Sequence, residues 1–186
     1  MRKLDLKTYF AYSWGKYLGS VILIVLFWSW CTDLIIRPRF NERINIFVGL
    51  NNSDLSFLNQ CKEEYGLKEI NIIYHDPEDE MFNLILSSKG IADTDIVILE
   101  IDSFNEDDIL LWFKEIKSEA IKNYFDGECE FYYKNSKAYG IKLKDNVYLF
   151  FNKTSPNLGE MNDEHLENDK ALLIAGKILK DGENNV

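Results

Sequence analysis

The sequence predicts an α/β fold: an N-terminal transmembrane helix followed by one three-layer domain with a mainly parallel sheet. Three observations carry this expectation. Residues 17–36 are apolar throughout, with Asp33 as their single charge. The 186-residue chain then alternates short β-branched runs with helical periodicities as far as about residue 125. Its formal charge of −10 is unevenly placed. Residues 1–39 hold six basic side chains against two acidic ones, a net of +4, which leaves −14 for the remainder.

The apolar run comes first. Twenty residues make about 30 Å of helix, the thickness of a hydrocarbon core. Tyr9, Tyr12, Trp14 and Tyr17 gather at one end and Trp28 and Trp30 towards the other, as interfacial aromatic belts do. Lys16 and Arg37-Pro38 bracket the run. No small-residue cleavage pattern follows it. Trp30 stands where a lipoprotein signal would place a small residue before Cys31. The run is therefore read as a retained anchor, neither a cleaved leader nor a buried core helix. Four basic residues precede it and three follow (Arg37, Arg39 and Arg43), which favours a cytoplasmic N-terminus. The expected divisions are a cytoplasmic tail 1–16, a span 17–36, a linker 37–43, an extracytoplasmic domain 44–180 and a flexible tail 181–186. The implied location is the cell membrane, single-pass.

Within the body, "RINIFVGL" (43–50) reads as a strand. Ser53 or Asp54 then caps a helix over "LSFLNQCKEEYG", with Leu55, Leu58, Cys61 and Tyr65 on one face and Gly66 ending it. "KEINIIYHD" (68–76) is a second strand. Pro77 opens a helix through "PEDEMFNLILSSKG" to Gly90. "DTDIVILEID" (93–102) is a third strand, continuously apolar, as suits a central parallel strand covered on both faces. Residues 105–125 give one long helix or two short ones. After Gly127, "CEFYYKNSKAYGIKLKDNVYLFFNKTS" reads as strands joined by the tight turns "KNSK" and "KDN", and a last helix covers 168–180. If the aromatic strands pair, one face buries Phe131, Tyr133, Leu149 and Phe151 or their alternates. On the other, Tyr132, Tyr148 or Phe150 are core where helix 168–180 covers them, the favoured reading, and an apolar patch for a partner or the membrane surface where it does not.

Composition narrows the function. A hydrophobic share of 46% and an aromatic share of 14% exclude wholesale disorder. An acidic body repels phosphate, so nucleic acid is not expected as a partner. In open α/β sheets, sites gather at the carbonyl ends of parallel strands. Those ends hold Asn51, Asn52, Ser53 and Asp54 after the first strand, His75 and Asp76 after the second, and Glu100, Asp102 and Ser103 after the third. His75, Asp76, Glu100 and Asp102 are ligand types for a divalent metal. Against this, carboxylates in so acidic a body fall at loop starts by chance, and Ser53, Asp54 and Asp76 have capping work available. There is no CxxC, no G-x-S-x-G, no GxGxxG and no P-loop. Cys61 and Cys129 are the one pair outside the span, and both read as buried thiols. Neither a metal nor a cofactor is expected. The sequons at Asn51 and Asn152 matter only in a eukaryotic secretory host.

The order "INIFVG", helix, "INIIYHD", helix ending in "KGIADTDIVILEIDSF", then "CEFYYKNSKAYGIKL" resembles the extracellular solute-binding proteins of bacterial ABC importers. In that family a helix ends in Gly before an Asp-Ile-hydrophobic strand, and a later strand pair reads roughly G-K-x-Y-G-I-P-L. Here Tyr139, Gly140 and Ile141 match that core, and Lys142 replaces the Pro. "VYLFFNKTS" is similar to the strand that crosses into the family's second lobe. The resemblance covers about residues 43–153 and implies one such lobe. The 43 residues after Leu143 are too few for the second, so the solute-engulfing clamshell is not expected, and small solutes are not expected as ligands.

The reading is a non-catalytic binding or interaction module, held to the bilayer by residues 17–36. It meets a membrane or envelope protein through Asn51, Asn52, Ser53, Asp54, Glu100, Asp102 and Ser103. Two alternatives stand beside it: a membrane-anchored, metal-dependent enzyme using strand-end carboxylates, and a cytoplasm-facing regulator of a membrane partner.

Overall fold

The computed structural model describes residues 6–51, 53–103, 106–117, 121, 125, 129–159, 161 and 169–182. The chain divides into two compact units, Met1–Arg37 and Pro38–Val186.

The first unit is one helix, α1 (Leu6–Ile36), of 31 residues. It begins well before Tyr17 because nothing in the preceding residues breaks a helix. It stops ahead of Pro38, whose ring disfavours helical backbone at Arg37. Two of its hydroxyls are satisfied within the helix: Ser20 Oγ donates to the Lys16 carbonyl at 2.9 Å and Thr32 Oγ1 to that of Ser29 at 2.8 Å. Such back-bonding is what an apolar surrounding demands. Trp14–Ile36, 23 residues, is long and apolar enough to cross a membrane, and none of it is buried.

The second unit is built on a six-stranded sheet of order β2-β1-β3-β6-β5-β4. Strands β1 (Arg43–Gly49), β2 (Glu69–Tyr74) and β3 (Ile96–Glu100) are mutually parallel, with Ile46 opposite both Ile72 and Ile96. Strands β4 (Phe131–Lys134), β5 (Lys137–Lys144) and β6 (Val147–Phe151) form an antiparallel meander, and β6 docks antiparallel on β3. The sheet is thus mixed, with its parallel strands confined to the first half. Both tight turns read from the sequence are present. Asn135 and Ser136 have φ of 51° and 64°, the left-handed pair that a two-residue hairpin needs, and Asp145 has φ 36°.

Both faces are covered, so the domain has three layers. Ile44, Ile46, Val48, Ile96, Ile98, Leu149 and Phe151 point to one side. There they meet Leu55, Leu58 and the last helix, α4 (Lys170–Gly182), through Leu172, Ile174 and Ile178. Phe47, Val97, Leu99 and Phe150 point to the other side, against Phe82, Leu86, Ile109 and Phe113. Every residue of β3 from Ile96 to Leu99 is buried, which explains its unbroken apolar run.

The intervening helices are shorter than the sequence suggested. Residues 55–66 do not form an α-helix; Ser56–Cys61 is a 3-10 helix. Leu55, Leu58 and Cys61 recur every third residue, the 3-10 repeat, and the Leu58 N–H bonds the Leu55 carbonyl. Gly66, at φ 60°, does close the segment. The Leu67 N–H reaches the Lys62 carbonyl and the Gly66 N–H that of Glu63, a Schellman closure.

In 77–90, only Phe82–Ile85 (α2) is α-helical, running into a π turn at Leu86–Gly90. Asp76 and Asp79 side chains accept the N–H groups of Glu78 and Met81, which gives this stretch turns in place of a helical first turn. A Cβ on Gly90 would lie 2.9 Å from the end of the Leu86 side chain and 3.2 Å from the Phe47 ring, so glycine lets the π turn sit against β1 without displacing either. In 105–125, where one long or two short helices were expected, α3 spans Glu106–Trp112. The chain is then extended at Phe113 and Ile116, which bridge to Asn152 and Ala138, and Ile121 is again helical; residues 118–120 and 122–124 lie outside the described residues.

One buried carboxylate joins these parts. Asp95, 3% exposed, accepts the Asn45 N–H at 2.9 Å, the Ser155 hydroxyl at 2.5 Å and Asn157 Nδ2 at 3.0 Å. Replacing Asp95 by Ala strands three donors at once. It should cost about 3 kcal/mol of stability or more, read from denaturant unfolding of the full chain in detergent, whereas Asp95→Asn should cost less.

Candidate functional site

Parallel pairing brings the loops after β1, β2 and β3 to one end of the sheet. Asn51, Ser53, Asp54, His75, Asp76, Glu100, Asp102 and the backbone of Ser103 therefore share that end, as the sequence implied; Asn52 lies outside the described residues. Sharing an end is not convergence. Asp54 Oδ1 accepts the Ser56 N–H at 2.8 Å, an Asx turn leading into the 3-10 segment, whose N-cap is Leu55 and neither of the expected Ser53 and Asp54. The neighbouring Leu55 N–H donates to Tyr74 Oη at 2.8 Å and ties this loop to β2, while burial pushes the Tyr74 phenol up from its ordinary pKa. Asp102 turns to the β5–β6 turn and accepts Asn146 Nδ2 at 3.1 Å. His75 lies stacked on Phe82, ring centroids 6.0 Å apart, with Nε2 3.5 Å from Asp79 Oδ2.

Among the described residues no three His, Cys, Asp or Glu side chains stand together as a metal would require. His75, Asp76, Glu100 and Asp102 do not assemble. The physical reason is the local hydrogen bonding: Asp76 serves the Glu78 N–H and Asp102 serves Asn146. Cys61 and Cys129 are free thiols, half-buried, and burial raises the Cys129 pKa.

The aromatic hairpin is mostly core. Phe131, Leu149 and Phe151 pack on the α4 side, and Tyr132, Tyr148 and Phe150 form an edge-to-face group on the other, leaving Tyr133 exposed. Tyr133 meets the Phe131 ring edge-on, centroids 6.3 Å apart, yet stays exposed beyond the register shift between Tyr132 and Tyr133.

Sequence reasoning missed the opposite end of the strands, where two cavities adjoin. One, about 580 Å³, is lined by Asn41, Glu64, Tyr65 and Lys170. The other, about 400 Å³, is lined by Phe40, Arg43, Asn45, Asp93 and Thr154. Pro156 and Asn157 form the wall between them. Lys170 Nζ is held by the carbonyls of Asn41 and Gly66. Arg43 lies with its guanidinium carbon 4.9 Å from the centre of the Phe40 ring. The loop 152–157 is set by its own side chains: Asn152 Oδ1 accepts both the N–H and the hydroxyl of Thr154, and Ser155 Oγ accepts the Asn157 N–H. The signal was available in "DTDIVIL" and "NKTSPN", polar residues flanking strands at the end where antiparallel β6 meets β3.

Taken together, the molecule is an α/β domain that follows a long apolar helix. Compared with known proteins, the chain matches no family model, no curated protein and no solved structure.

The Ser56 backbone N–H, then its hydroxyl, hold the Asp54 carboxyl below its ordinary 3.8. A depressed pKa means that the anion contributes stability above that ordinary value and loses it as the pH falls through the lowered one. Carbon-detected NMR titration should place Asp54 below the protein's exposed aspartates, and Ser56→Ala should bring it only partway back, because the backbone donor remains.

Proposed function

We propose that this chain is a single-pass, membrane-anchored binding domain of non-catalytic kind, its body resembling one lobe of an extracellular solute-binding protein. The observation that carries the reading is the apolar helix window Trp14–Ile36, none of which is buried, on a chain whose other unit has a complete core of its own. An apolar surface of that length finds its counterpart in a bilayer. The aromatic belts and the excess of basic residues before the span support a cytoplasmic N-terminus and an extracytoplasmic body.

The lobe reading draws on the order of the parallel strands β1, β2 and β3 and on the Gly90-to-β3 junction, which matches the family's helix-Gly-strand pattern. The recognition surface is assigned to the strand-end loops, Asn51, Asn52, Ser53, Asp54, Glu100, Asp102 and Ser103, and the ligand to a membrane or envelope protein. Their carboxylates, Asp54 after β1 and Glu100 and Asp102 at the end of β3, are partly spent on local hydrogen bonds. That arrangement suits a broad polar docking face better than a small-molecule site.

Two measurements test this. After alkaline carbonate washing, full-length protein should remain with the membrane, and protease added outside wall-less cells should digest the body. A soluble or shortened product would defeat the anchor. Separately, Asn52→Ala and Asp102→Ala should weaken capture of the partner while shifting Tm by no more than a few degrees, since exposed loop changes typically cost about 0.5 kcal/mol or less. Capture unchanged by both would remove the surface assignment and leave the anchor standing.

A further inference from the structure

The smaller cavity, at the amino ends of β1 and β3, carries charges that the fold itself does not use. Arg43, the first residue of β1, is stacked on Phe40 and has no carboxylate partner among the described residues. Asp93 is exposed, and its side chain accepts no hydrogen bond from any described residue; only its backbone is engaged, with Lys89 and Asn45. The second carboxylate, Asp95, is already saturated by the Asn45, Ser155 and Asn157 donors. Asn157, 3% exposed, has its amide orientation fixed, because Nδ2 donates to both the Arg43 carbonyl and Asp95. Its Oδ1 is left with no donor. A buried acceptor without a donor costs stability and is rarely kept without a use.

We propose that this cavity binds a phosphoethanolamine group, a primary ammonium and a phosphate on one short skeleton. A guanidinium meets phosphate oxygens with paired donors. A free carboxylate at the same cavity suits an ammonium, which has three donors and no acceptor. A simple anion would satisfy Arg43 and be repelled by Asp93; a neutral sugar would leave both charges unmatched. The cavity volume of about 400 Å³ falls in the range of small-ligand sites. The group has two sources, a free phosphoethanolamine ester or the head group of a phospholipid. This inference is independent of the docking surface at the other end of the strands.

The test uses the full chain in phosphatidylglycerol nanodiscs, titrated calorimetrically with glycerophosphoethanolamine and glycerophosphocholine. The first should bind. The second, whose quaternary nitrogen has no N–H, should bind about tenfold more weakly or worse. Arg43→Ala, which keeps the backbone carbonyl that Asn157 uses, and Asp93→Asn should each weaken glycerophosphoethanolamine by about tenfold or more, with the circular dichroism melt unmoved. A second arm repeats the titration in nanodiscs containing an equal share of phosphatidylethanolamine. Loss of the signal there identifies the lipid head group as the occupant, and an unchanged signal identifies the free ester. Absence of heat in phosphatidylglycerol nanodiscs, equal binding of the choline compound, or binding untouched by both substitutions would overturn the proposal.

Discussion

The carboxylate of Asp95 is the point at which three separately made parts of the domain become one. It stands just before β3, takes a backbone donor from β1, and takes two side-chain donors from the loop that leaves β6. Its backbone continues the same job: its N–H donates to the Asn45 carbonyl and its carbonyl accepts the Asn152 N–H. A carboxylate taken out of water is tolerable only when donors replace the lost hydration, and here they come from β1 and from the loop after β6. That requirement docks loop 152–157, whose own bonds give it its shape, and so positions the wall shared by both cavities.

The two-sided sheet sets the second constraint. Because β1 and β3 are buried on both faces, each needs a layer on either side, and the chain supplies these layers in unequal pieces. One face receives the 13-residue α4. The other receives one helical turn with a π extension and the seven-residue α3. Short elements suffice there because aromatic rings do the covering. Phe113 stacks on Phe150 with centroids 4.6 Å apart, and Phe82 lies 6.1 Å from Phe47. Large rings bury much surface per residue, so fewer turns of helix are needed.

These particulars explain what could be read from the sequence. The strands were legible because Ile, Val and Phe concentrate in short runs, and the hairpins because Asn135-Ser136 and Asp145-Asn146 tolerate left-handed backbone. Helix lengths were not legible. Leu55, Leu58 and Cys61 satisfy a 3-10 repeat as well as an α-helical face, and the Asx turns at Asp76 and Asp79 compete with a helix from residues that also suit its first turn. The strand-end loops were placed at one end correctly, since parallel topology alone determines that. The cavities at the other end were not foreseen, because they depend on β6 returning antiparallel beside β3, a pairing between residues far apart in the chain.

That same pairing has a consequence for the making of the molecule. During synthesis β1, β2 and β3 emerge first, and the neighbour of β3, which joins Ile96 to Phe151, is the last of the described strands to be translated. Until then β3 offers four consecutive apolar residues, Ile96 to Leu99, along an unpaired edge. Such an edge is a template for strand addition from another nascent chain. Closing it requires a long loop to form, a slow step compared with the local hairpins of β4, β5 and β6. The meander therefore arrives as a preformed unit that seals the edge in one docking event, and the interval before it arrives is when the chain is most exposed to aggregation.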